Sequence, residues 1–142
     1  MKPVNKAEIS FPSNSVNEGF ARAAVSAFLA QLDPTVADLT DLKTAVSEAV
    51  TNSIVHGYRD AIGTVYISVK LFENGKTVVR VRDKGCGIPD IEQAMEPLYT
   101  TGGEERAGLG FAVMESFMDS VKVRSAPGKG TRVTLSKRLG TR

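Results

Sequence analysis

The chain has 142 residues, of which 42% are hydrophobic and 24% charged; this is the size and make-up of one domain that buries its own core, with no second domain expected. Its 18 basic and 16 acidic residues are mixed along the sequence and leave a formal charge of +2, so no field of one sign is expected and direct contact with nucleic acid is not expected. The start, MKPVNKAEISF, has no apolar segment of the signal-peptide kind, and no stretch approaches the length of a membrane span, so a cytoplasmic protein is expected. One cysteine, Cys86, and one histidine, His56, allow neither an internal disulfide nor a Cys/His metal cluster, so any metal is expected to arrive with a ligand.

In chain order, residues 7–11 are predicted to form a strand. Ser13 or Asn14 then stands where it can cap a helix whose apolar positions are Val16, Phe20, Ala24, Phe28 and Leu32, ended by Asp33-Pro34. Asp38 or Thr40 is expected to open a second helix with Leu39, Leu42, Val46, Val50 and Ile54 on one face, and Gly57 suits its C-terminus. Val65, Ile67, Val69 and Leu71 alternate with polar or mixed residues, as do Val79 and Val81 after the turn at Glu73-Asn74-Gly75, which predicts a hairpin. A stretch from about Gly85 to Arg106 is longer than an ordinary loop. A third helix is predicted from Leu109 to about Met118, followed by strands around Val121 and Val123 and around Val133 and Leu135, joined by a Pro127-Gly128 turn. The order βααββ, long loop, αββ predicts an α/β (α+β) two-layer sandwich: a mixed, mainly antiparallel sheet covered on one face by helices.

Candidate chemistry concentrates at four places. Glu48, Asn52 and His56 recur every four residues on the second helix, a polar stripe that also suits a solvated flank. Asp83 continues the inward side of the strand carrying Val79 and Val81, and a carboxylate at such a position needs donors. Gly85 and Gly87 follow it and allow a tight turn and the approach of a flat ligand, although a plain Asp-Gly turn reads the same way. Gly108-Leu109-Gly110 stands just before the third helix, where bare amides would face an anion, and Thr131 shares an inner strand face with Val133 and Leu135. The Gly-x4-Gly-Lys-Ser/Thr phosphate loop and the Gly-x-Gly-x-x-Gly dinucleotide fingerprint both fail on spacing.

Taken in order, Glu48-x-x-x-Asn52, Asp83-x-Gly85-x-Gly87, Gly108-x-Gly110 and Gly130-Thr131 resemble the four nucleotide-binding boxes of the gyrase, Hsp90, histidine-kinase and mismatch-repair superfamily. SEAVTNSIVHGY, PLYTTGGEERAGLGF and FMDSVKV further resemble the anti-sigma-F serine kinases of endospore-forming bacteria over nearly the whole chain. The resemblance implies a single Bergerat-type ATP-binding domain, residues 1–142, with an ATP lid at about 88–107. It implies that Asn52 binds Mg²⁺ together with ATP phosphates, that Glu48 is the general base, and that Asp83 accepts from the adenine amino group with Thr131 beside it. It places Gly85, Gly87, Thr100, Thr101, Gly108, Leu109 and Gly110 along the nucleotide and Arg106 at the terminal phosphate. His56 is read as structural and Cys86 as a small filler. The implied partners are a sigma-F-like factor, contacted through Glu18 and Arg22, and an anti-anti-sigma factor whose serine receives the phosphate while ADP leaves. A homodimer is implied, with no membrane and no nucleic acid. A general-stress anti-sigma-B-type kinase and a non-catalytic, ATP-gated binding module remain open alternatives, and the lack of a dimerisation segment and a transducer domain disfavours a histidine-kinase fragment or an ATPase.

Overall fold

The computed structural model describes residues 2–59, 61–95 and 103–140, apart from the side chains of residues 92, 93 and 103–109. Strand β1 (Asn5–Pro12) leads into α1 (Asn17–Leu29) and a short 3-10 turn (Ala30–Leu32), then α2 (Val36–Asn52), which runs on as a π turn (Ser53–Gly57). The hairpin β2 (Thr64–Leu71) and β3 (Lys76–Asp83) follows, then a single turn α3 (Ile91–Ala94), helix α4 (Gly103–Phe117), and β4 (Ser120–Ala126) with β5 (Gly130–Arg138). The strands form one sheet in the order β1-β2-β3-β5-β4. Each neighbouring pair is antiparallel, so the parallel component allowed for by the sequence is absent from the described sheet.

Period-2 patterning builds the core. Val65, Ile67, Val69 and Leu71 of β2, Val79 and Val81 of β3, and Val133 and Leu135 of β5 all turn to the helix side and are buried. Leu42, Ala45, Val46, Ala49 and Val50 of α2 meet them, each with no exposed surface. Thr35, not Asp38 or Thr40, caps α2: its hydroxyl accepts from the Asp38 amide at 3.2 Å. Asp38 serves instead as a tie to the chain's end, its carboxylate accepting from the Gly140 amide at 2.6 Å.

Helix α1 differs from expectation by one residue of rotation. It buries Ala21, Val25 and Leu29, while Val16 is 81% and Phe20 53% exposed. Two apolar stripes overlap in its sequence, and the one containing the small Ala21 lets the helix lie close to the sheet. Phe20 moves to the rim, where it meets Phe11 edge-on at 6.1 Å. Neither Ser13 nor Asn14 caps α1 through its side chain; the Ser13 hydroxyl accepts from the Gly63 amide instead.

The other face of the sheet has no helices over it, and there the charges separate. Arg80 and Arg82 on β3, Arg132 and Arg138 on β5, and Lys122 and Arg124 on β4 alternate with the core residues of their strands. Balanced composition therefore conceals a basic face, contrary to the expectation that no field of one sign would form. Among the described residues no helix is long and apolar enough to cross a membrane.

Leu42 is wholly buried between α2 and the sheet. Leu42→Ala should lower the unfolding free energy by about 2–5 kcal/mol, read from the urea midpoint at unchanged slope.

Candidate functional site

The site grows from the end of β3. Asp83 is the last inward residue of that strand, 3% exposed, and stands directly opposite Thr131 of β5. Its Oδ1 accepts from the Gly85 amide at 2.9 Å. The Ser53 hydroxyl and the Thr131 amide also donate to this carboxylate. Burial pushes its pKa above the usual carboxylate range, and the three donors pull in the opposite direction without cancelling it.

Two backbone segments converge on this carboxylate because they carry no side chains. A Cβ at Gly57 would sit 2.9–3.0 Å from the carboxyl atoms of Asp83, and one at Gly85 would collide with the Gly57 carbonyl. That carbonyl accepts from the Cys86 amide at 2.9 Å. Gly57 stands at the end of the helical run, as the sequence suggested, and is required there for close approach. The π turn supplies the geometry: Tyr58 N–H reaches back five residues to Ser53 O at 3.1 Å. Gly87 adopts φ +77° and lies against Ala126, where a side chain has neither the conformation nor the room.

A cleft of about 170 Å³ opens above Asp83, with Ala49, Phe111 and Val133 as apolar walls and Asn52, Ser53 and Thr131 among the polar ones. It is smaller than the roughly 300–1,000 Å³ of most ligand pockets, so it has room for a flat heterocycle and not for a whole nucleotide. At its edge, Ser125 Oγ accepts from the Ile88 amide at 2.7 Å and donates to Gly130 O at 2.9 Å. Its single proton is then committed, so in the 2.8 Å contact with Thr131 Oγ1 the threonine is the donor.

Glu48 and Asn52 lie one turn apart on α2, and both approach α4 at Gly110. A Cβ there would be 3.1 Å from Glu48 Oε2 and 3.3–3.4 Å from the Asn52 amide atoms. Asn52 Nδ2 is buried and makes no hydrogen bond. A buried amide left without a partner fits a position meant for a further ligand, and a flip of the group would present its oxygen to a hard cation such as Mg²⁺. His56 lies on the π turn and also lines the cleft.

The structure thus brings Asn52, Asp83, Gly87 and Thr131 to one cleft, with Gly85 behind Asp83 and Glu48 at the adjoining Gly110 contact. It corrects the placement of Gly108-Leu109-Gly110: α4 begins at Gly103, not Leu109, so these residues lie inside the helix and do not leave bare first-turn amides. Thr100 and Thr101 lie outside the described residues, as do the side chains of Arg106 and Leu109. Glu18 and Arg22 pair on the surface of α1 at 3.7 Å, away from the cleft lining. Sequence reasoning missed three contributors. Ser53 continues the buried helical stripe of Val46, Ala49 and Val50 with a hydroxyl, a signal that could have been read. Tyr58, whose hydroxyl accepts from the Lys84 amide at 2.6 Å and donates to Thr64 O at 2.7 Å, and Ser125 act through partners distant in sequence.

Comparison with known proteins agrees with this fold. The family model described as "Histidine kinase-like ATPase domain" matches residues 11–137. An anti-sigma F factor from Thermoanaerobacter sp. (strain X514) is 54% identical over 143 residues, covering 99% of each chain. One from Clostridium novyi (strain NT) is 54% identical over 137 residues, covering 95% of each. Among solved structures, the RsbU and RsbW domains of Rv1364c from Mycobacterium tuberculosis superpose with a TM-score of 0.72 at 23% identity, covering 96% of this chain and 32% of that one. The histidine kinase domain of a blue-light activated kinase from Erythrobacter litoralis gives 0.56 at 20% identity, covering 86% and 61%. These two likenesses are of fold. With a family model over most of its length and relatives matched end to end, the chain belongs to the anti-sigma F factor family, built on a histidine kinase-like ATPase domain.

Proposed function

We propose that this chain is a sigma-factor antagonist that is also a Mg·ATP-dependent serine kinase, transferring the γ-phosphoryl group to a serine of a small anti-anti-sigma protein. The observation that carries the kinase half is the pairing of Glu48 with Asn52 against Gly110, next to a cleft floored by a buried acceptor, Asp83. Binding alone would need no general base beside the amide. In this reading Asp83 accepts from the adenine amino group, with Thr131 beside it and Gly85 and Gly87 shaping the wall. Thr100, Thr101, Gly108, Leu109 and Gly110 follow the rest of the nucleotide, and ADP is the product.

Asn52 would hold the magnesium ion, which when bound neutralises phosphate charge. Glu48 takes the proton of the serine hydroxyl as its oxygen bonds to the γ-phosphorus and the bond to the β–γ bridging oxygen breaks. Arg106 steadies the charge on the transferred group. The regulator gains a dianionic phosphate that repels its docking surface. Glu18 and Arg22, a half-exposed pair of small energetic consequence to the fold, contact the sigma factor, and the working unit is a cytoplasmic homodimer.

Transfer of labelled γ-phosphate from Mg·ATP to serine of a small host protein should fall by about 10²-fold or more in Glu48→Gln with ATP affinity retained, and should disappear in Asn52→Ala. Transfer undiminished in Glu48→Gln would remove the base assignment. If wild type transfers nothing yet captures a sigma factor only with ATP, the chain is a nucleotide-gated binding module; capture of a general-stress sigma factor would move it to that circuit.

Asp83→Asn separates recognition from stability. A carboxyl whose folded pKa is raised adds stability that is fully present below the unfolded value, near 3.8, and is lost as pH rises through the folded value. Wild type should therefore lose stability relative to Asp83→Asn as pH rises above 3.8 in urea titrations without nucleotide. ATP affinity should meanwhile drop about tenfold or more in the variant, as for loss of a hydrogen bond to a charged group. Equal ATP affinity by calorimetry would mean that the base lies elsewhere.

A further inference from the structure

The uncovered face of the sheet carries a row of guanidinium groups, with carboxylates only at its margins, Glu8 on β1 and Asp119 before β4. Arg132 of β5 stands directly opposite Arg82 of β3 on one side and Arg124 of β4 on the other. Two residues further along, Arg80 and Lys122 flank Thr134 in the same manner. Like charges directly opposite one another destabilise a sheet, and among the described residues no ion pair joins any of these five to a carboxylate; the ion pairs present are Arg22–Glu18 and Lys137–Asp38. A pattern that costs stability and lacks internal compensation points to an external anion.

We propose that this face is a docking surface for an acidic protein helix, separate from the nucleotide cleft and independent of the kinase reading. Strand spacing sets Arg82, Arg132 and Arg124 at intervals of about 4.8 Å. Carboxylate residues three or four apart on a helix are about 5–6 Å from one another. An acidic stripe laid across the strands therefore meets one guanidinium per turn, and the fork geometry of arginine suits paired bonding to carboxylates.

Other polyanions match less of what the face presents. A single-stranded nucleic acid needs aromatic platforms, and the ring in this row, Tyr66, is already covered by the Arg82 guanidinium at 4.5 Å with the Lys84 ammonium at 5.3 Å. A duplex needs an element that enters a groove, which a flat sheet face does not supply. An anionic bilayer needs large apolar anchors, and on the outward positions of β3, β4 and β5 the apolar side chains are the small Val78 and Ala126.

The test uses the full chain and a fluorescein-labelled, alanine-based helical peptide bearing glutamates every four residues, with an isomer of equal composition whose glutamates are scattered around the helix. The striped peptide should bind more tightly than the isomer, with affinity falling as salt rises. Arg82→Glu/Arg124→Glu should weaken it by about tenfold or more, two lost charge-assisted pairs being enough for that. The milder Arg82→Gln/Arg132→Gln/Arg124→Gln should do the same, with thermal midpoint and ATP affinity of both variants checking that the fold is intact. Equal binding of the two peptides, or no effect of either variant, would overturn the proposal. So would preferential binding of a thymidine oligonucleotide or of phosphatidylserine vesicles at the same ionic strength, or salt-sensitive self-association abolished by the same variants, which would give the face to a second copy of the chain.

Discussion

A carboxylate placed almost wholly out of water is the constraint around which this structure is arranged. Removing an ion from water costs several kcal/mol even after the surroundings relax, whereas a hydrogen bond to a charged group returns about 1.5–3 kcal/mol. Asp83 receives three such donors, from the turn after β3, from the π turn and from β5. Burial still outweighs them, and a carboxylate with about four acceptor positions has capacity left for a further donor. Meeting that demand fixes much else: the π turn must bring Ser53 within reach, Gly57 and Gly85 must lack side chains so that two backbones can touch, and β5 must run in the register that sets Thr131 opposite. The cleft is what remains above the carboxylate once those conditions hold.

How much of this was readable in advance depends on the range of the interaction. Alternation along Val79, Val81 and Asp83 is local, and it correctly placed the carboxylate on the core side of the sheet. Spacing along α2 likewise brought Glu48 and Asn52 to one flank. Local signals misled where two local solutions compete. On α1 the Phe20 stripe and the Ala21 stripe are both helical, and only the sheet beneath chooses the narrower one. At Gly103–Ala107 the sequence GEERA contains good helix formers, so α4 extends through a glycine pair that reads as a helix start. Ser125 could not be found, because its hydroxyl joins Ile88, 37 residues earlier, to the strand turn at Gly130.

Charge shows the same limit of one-dimensional reading. Basic and acidic residues alternate in sign along the chain and nearly cancel, yet β3, β4 and β5 place their arginines and lysines at every second position. On these three strands period 2 therefore sends one sign to one side; Glu8 on β1 lies at the margin of that face, while carboxylates such as Glu18, Asp38 and Glu48 lie on helices of the opposite layer. Net charge describes the sum of these layers and says nothing of their separation. Each opposed like-charged pair costs about 0.2–1 kcal/mol, lessened by salt at an exposed surface, a tax the core can bear.

Helix α4 joins the two ends of the candidate site through consecutive residues. Phe111, 1% exposed, walls the cleft above Asp83, while Gly110 beside it presses on Glu48 and Asn52. A helix cannot translate one residue without carrying its neighbour, and a close-packed interior leaves no slack to absorb the shift. Whatever fills the cleft and displaces Phe111 therefore also alters the space in front of the Glu48 carboxylate, and whatever occupies that space bears on the wall of the cleft. Glycine at position 110 keeps this contact free, since a Cβ there would stand 3.1–3.4 Å from the Glu48 and Asn52 side-chain ends and make them give way. The link between the two ends is thus continuity along one backbone, Gly110 to Phe111, rather than a chain of polar contacts.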